Sequence, residues 1–169
     1  QSNVFSVIGG FREFSLILSA EPFTLTSLLV LASGAGTLAT RGLAAAMLAI
    51  SSYVISGRVP YDIAEAEPEL ASGVNIELAG PLLGIATTSA VLKKLVSATL
   101  TSLALVSLAG LGGTESLLVV MLATPAVWVA HTVLSTLLGR SRVDLAVKFL
   151  YTTLLLLCLV MLVSFGLGL

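Results

Sequence analysis

The sequence predicts an all-α, polytopic membrane bundle of about five transmembrane helices with one acidic loop. Three observations predict it. Of 169 residues, 57% are hydrophobic and only 10% are charged, against about 45–50% apolar and about 25% charged in soluble domains. The apolar runs are continuous rather than alternating with period two, which argues against barrel strands. Most are also near the roughly 20 residues that a helix needs to cross a bilayer core.

Taken in order, the first span covers about 14–38 and starts after the charged pair Arg12-Glu13. The second, 42–56, is short and Ala-rich; Ala44, Ala45, Ala46 and Ala49 let helix backbones approach closely in lipid. The third runs from 79 towards 110 and is interrupted by Lys93-Lys94. The fourth is 115–138 and the fifth 146–167, all within a single membrane domain, 1–169. The one long connection, 57–78, reads GRVPYDIAEAEPELASGVNIEL and holds five of the nine acidic residues.

The composition excludes a soluble globule, a disordered chain and a nucleic-acid binder, because 8 Lys+Arg against 9 Asp+Glu leave no basic face. A single cysteine, Cys158, excludes a disulfide framework or a multi-cysteine metal site on this chain alone. The sequence starts at Gln1 with no secretory signal pattern, as expected of a processed or split polypeptide or a piece of a longer one. With five spans, Arg12, Arg58, Arg140 and Arg142 fall on one side, Lys148 sits just inside the fifth span there, and only Arg41 falls on the other. The positive-inside rule then places the 57–78 loop in the cytoplasm of a multi-pass cell-membrane protein.

Ionisable groups at membrane depth cost roughly 2.5–3.5 kcal/mol each on insertion scales and ask for a reason. Glu21 is followed by Pro22, which removes a backbone donor, so a kinked helix is expected at a proton-carrying carboxylate. The bland alternative pairs Glu21 with Arg12 near the interface. Lys93 and Lys94 lie about 20 Å along the third span. They point about 100° apart, so one is expected to pair with a carboxylate or relay while the other snorkels. A helix break near 93 is the alternative. His131, one turn after Trp128, either bonds across a helix pair or joins a relay. In the loop, Asp62, Glu65, Glu67 and Glu69 crowd eight residues and Glu77 follows. Like charges so close raise one another's pKa values, so the cluster can take up and release protons. Val59, Ile63 and Leu70 interleave with them, as in a loop folded against protein rather than a solvated run.

The run Arg58-Val59-Pro60-Tyr61-Asp62-Ile63-Ala64-Glu65-Ala66-Glu67-Pro68-Glu69-Leu70, then Asn75-Ile76-Glu77-Leu78-Ala79-Gly80, resembles the signature loop of one membrane subunit family. This is the subunit of respiratory complex I that lines the quinone chamber, with relatives in membrane-bound energy-converting hydrogenases. Phe11-Arg12 to Ser19-Ala20-Glu21 resembles the family's first part, with Ala20 in place of a tyrosine, and Val143-Asp144 to Phe149-Leu150 its last loop and helix. Family members are about twice as long, so the chain looks like their C-terminal portion.

The resemblance implies a proton path through Glu21, Asp62, Glu65, Glu67, Glu69 and Glu77, with Lys93, Lys94 and His131 as further candidates and Arg58, Arg12, Arg140 and Arg142 as docking groups. It implies no cofactor on this chain. Iron–sulfur clusters, with or without nickel–iron, would sit on peripheral partner subunits at the loop, beside other membrane subunits that include antiporter-like ones, and lipid. Ala90 stands where quinone-reducing members carry a glutamate, and Ala64 replaces the usual proline. Both departures resemble the hydrogen-evolving or sulfur-reducing branch. The expected function is thus a membrane anchor that couples ferredoxin-driven electron transfer to proton or sodium movement. A complex I quinone-chamber subunit, a passive docking scaffold and an independent carrier are the alternatives.

Overall fold

Backbone in lipid must satisfy its own hydrogen bonds, which for uncharged runs of Leu, Val and Ala means helix. The computed structural model describes residues 4–34, 36–62, 78–111, 113–139 and 142–167. Five helices occur there: α1 (Val4–Ser33), α2 (Leu38–Ile55), α3 (Pro81–Leu108), α4 (Gly113–Leu137) and α5 (Val143–Leu167). All five are long and apolar enough to cross a membrane, and no strand is present among the described residues.

The bounds of α1 differ from the sequence reading. α1 begins at Val4 rather than after Glu13, so Arg12 and Glu13 lie inside it, and it ends at Ser33 rather than near 38. Val4–Gly10 carries no charge and extends the apolar run, while Gly34 at φ 62° turns the chain away. α1 continues through Pro22 as one helix. Proline is tolerated inside a membrane helix when neighbouring helices and small local adjustments absorb the lost bond. α3 runs unbroken through Lys93-Lys94, so both lysines are helical, as the reading of two side chains about 100° apart requires, and the alternative break is absent.

α2 is the central helix, packed against α1, α3 and α5, whereas α4 packs chiefly on α3. One face of α2 (Ala44, Met47, Val54) joins Leu16 and Ala20 of α1 and Leu150, Leu154 and Met161 of α5 in the main buried cluster. Ala45 and Leu48 face Ala104 of α3 in a second. Hydroxyls stitch the helices between these clusters: Ser52 Oγ to Thr101 Oγ1 at 3.1 Å and Ser102 Oγ to Thr124 Oγ1 at 3.0 Å. At one end of α2, Thr40 meets Ser164 of α5 at 3.1 Å and the Arg41 guanidinium donates to Ser107 O of α3. The start of α2 thus lies beside the ends of α3 and α5, so these neighbours run antiparallel to it.

The ends of α2 are encoded locally. Thr37 caps its start, accepting from the Thr40 N–H. At its other end Ser56 N–H donates to Ser52 O, and Gly57, at φ 64°, turns its N–H to Val54 O at 3.0 Å. That left-handed cap suits glycine alone among common residues. With 18 residues, α2 is about 27 Å long at 1.5 Å per residue, shorter than the roughly 30 Å apolar core it crosses. α1 and α3, with 30 and 28 residues, overhang it.

Ala44 is fully buried, so a larger side chain there must push helices apart. Ala44→Leu is expected to destabilise the bundle by about 1–3 kcal/mol, read as a lower thermal midpoint in detergent. Ala46→Leu, on the exposed side of α2, should leave the midpoint unchanged.

Candidate functional site

Where α2 stops short, its two neighbours enclose a polar cleft of about 140 Å³. The floor is Val54, Ile55, Ser56 and Gly57; α1 supplies Glu13, Leu16 and Ile17, α3 supplies Ala90, Lys93 and Lys94, and Tyr61 and Asp62 lie at the rim. Across this gap Lys93 Nζ donates to Glu13 Oε1 at 2.6 Å. An exposed ion pair in water contributes only about 0.2–1 kcal/mol. Both side chains are more than a third exposed, and the pair joins α1 to α3 level with the end of α2. Lys94 lines the same cleft, half-buried and one position further round α3. The negative end of the α2 dipole points into the cleft and favours the two ammonium groups.

Beyond the floor the chain folds over the end of α2. Tyr61 N–H donates to Arg58 O at 2.7 Å and Tyr53 Oη donates to Val59 O at 2.6 Å. The rings of Tyr53 and Tyr61 meet edge to face at 6.4 Å. Burial pushes the Tyr61 phenol up from its ordinary value, so it sits at the rim as a neutral hydroxyl. Arg58 is buried at 7% exposure. Its Nη1 donates to Thr132 Oγ1 at 2.7 Å, and its guanidinium carbon lies 5.2 Å from the centre of the Trp128 ring. Burial draws the guanidinium down from its usual value, offset in part by Tyr53; an arginine still keeps its charge at neutral pH.

The residues singled out from sequence fall in different places. Lys93, Lys94 and Asp62 share the cleft. Among the described residues Lys93 is the lysine that pairs, and its partner Glu13 is a residue the sequence reading puts outside the span. The signal that points to it is the uncharged run before Arg12. His131 is buried at 6% exposure and packs edge to face on Tyr53 at 5.1 Å, with Nδ1 making no hydrogen bond. It joins the cleft only through the Tyr53–Tyr61 ring contact. Glu21 lies exposed near the middle of α1. Nine residues from Arg12 are about 13.5 Å along the axis and half a turn round it, too far for the two to pair. Arg12 is half-buried in α1, and Arg142 is exposed just before α5. Glu65, Glu67, Glu69, Glu77 and Arg140 lie outside the described residues. No three of His, Cys, Asp and Glu converge on a metal-binding point among the described residues.

Known proteins share much of this sequence. A profile of the family described as NADH dehydrogenase matches residues 1–166. Hydrogenase-4 component C of Escherichia coli (strain K12) is 36% identical over 112 residues, which cover 57% of this chain and 36% of that protein. A membrane subunit from the NADH-quinone oxidoreductase of Aquifex aeolicus (strain VF5) is 32% identical over 97 residues, covering 47% of this chain and 29% of that protein. The chain therefore spans about a third of the length of these curated relatives. By the breadth of the profile match, and by relatives in both a hydrogenase and a quinone oxidoreductase, this multi-pass chain belongs to the NADH dehydrogenase family of membrane subunits.

Proposed function

We propose that the chain is the membrane-anchor and ion-coupling subunit of a ferredoxin-dependent, hydrogenase-like or sulfur-reducing respiratory complex. In this reading the 57–78 segment faces the cytoplasm and docks a peripheral iron–sulfur module. The carrying observation is the cleft, in which Asp62 lies at the rim and the Glu13–Lys93 pair inside. Its chemistry is that of a switchable pair. A proton arriving by way of Asp62 neutralises Glu13 and releases Lys93, and the freed ammonium repels a second positive charge onward. Reduced clusters on a docked partner would supply negative charge that favours proton uptake by the loop carboxylates. Glu21, on the exposed face of α1, is the group from which charge passes to a neighbouring membrane subunit.

Two features support the hydrogenase-like branch over a quinone chamber. Ala90 lines the cleft wall where a carboxylate is expected in quinone-reducing relatives, and two lysines follow it. The relative among quinone oxidoreductases supports the second reading, a complex I quinone-chamber subunit. A passive scaffold is the third, and its outcome in the same experiment is opposite.

In the assembled complex, Glu21→Gln and Glu67→Gln are each expected to lower ions moved per electron while the complex still purifies intact. Full translocation in the assembled double variant would overturn the relay; a lower pull-down yield with intact translocation would establish the scaffold. Glu13→Gln and Lys93→Ala act on one pair, so the double variant should lose no more translocation than the worse single variant. Additive losses in proteoliposome pumping assays would show that the two residues work apart.

A further inference from the structure

We infer that Trp128 and Thr132 of α4 are positioning residues that hold the Arg58–Asp62 turn, and with it Asp62, at the rim of the cleft. This rests on the ion-coupling reading above for its functional consequence, but the geometry stands independently. α4 packs chiefly on α3, yet here it reaches across to the residues that follow α2. Arg58 is a buried cation whose Nε makes no hydrogen bond. Such a charge needs compensation. The contacts found for it among the described residues are the face of the Trp128 ring at 5.2 Å and one hydroxyl.

That hydroxyl is oriented for the task. Thr132 Oγ1 gives its single proton to Trp128 O at 2.8 Å, so it turns lone pairs towards Arg58 and accepts from Nη1 at 2.7 Å. An indole face is the strongest aromatic partner for a guanidinium, and the planar, delocalised arginine suits it better than lysine would. The constraint is passed along the backbone, since Arg58 O accepts from Tyr61 N–H and the next residue is Asp62. Tyr53 fastens the middle of the turn through Val59 O and leans on His131, one residue before Thr132. His131 thus acts here as a packing wall.

The test is hydrogen exchange of the 57–62 segment in the assembled complex, followed by mass spectrometry, beside ion translocation per electron. Trp128→Ala is expected to speed exchange in this segment by about tenfold, and Thr132→Val to speed it by a smaller factor. Trp128→Phe and Thr132→Ser, which keep a ring face and an oriented hydroxyl, should restore slow exchange, and translocation should follow the same order. Exchange in Trp128→Ala and Thr132→Val equal to the parent would overturn the inference, as would a loosened segment with undiminished translocation when Asp62→Asn abolishes it. If Trp128→Ala does not assemble, the Thr132→Val and Thr132→Ser pair decides alone. Asp62→Asn also separates the two levels: full translocation in that variant sinks the ion-coupling reading, while the exchange result still decides whether α4 holds the turn.

Discussion

The polar end of this bundle depends on a mismatch of length. The central helix is the shortest, and glycine caps it while α1 and α3 continue beyond its end. The helices on either side continue past it, so a gap opens that hydrocarbon side chains do not fill. Groups that would be intolerable on a lipid-facing surface become tolerable in that gap. Glu13 and Lys93 cancel one another's charge across it, Lys94 shares the space, and the carbonyl end of α2 adds its partial negative charge. A longer α2 would displace all of them.

Much of the architecture is legible in the residues. Continuous apolar runs allow only helices, and their number follows from counting charges and turn residues. Gly57 marks the end of α2 where the sequence reading puts it, whereas Thr37 falls inside the expected first span and its capping role goes unread. The start of α1 is not legible, because a charged pair reads as a boundary, whereas a partner on a different helix allows the charge inside. Periodicity along one chain carries no information about such a partner. Pro22 is different: it is read from sequence as lying within a membrane helix, and it does.

The site is legible in its parts and not in its assembly. Lys93 and Lys94 stand out as charges inside a span, and Asp62 and Arg58 as members of the acidic connection. Nothing in their spacing tells which will meet. Glu13 lies 80 residues from Lys93, and Arg58 lies 74 from Thr132. Arg58 is instructive: from its position beside an acidic run it reads as a group for an external partner, yet its guanidinium is turned inward onto α4. An aromatic face exerts no pull that a sequence pattern reveals, and by sequence Trp128 is no more than a neighbour of His131.

The two ends of the bundle are fastened differently. Around the start of α2, Thr40 with Ser164 and Arg41 with Ser107 tie three helices together. Around its finish, the Glu13–Lys93 pair joins α1 to α3 across the cleft, and Arg58 joins the following turn to α4. All four fellow helices are therefore reached from α2 or the turn that leaves it, so a change of side chain in this shortest helix is felt by the whole bundle.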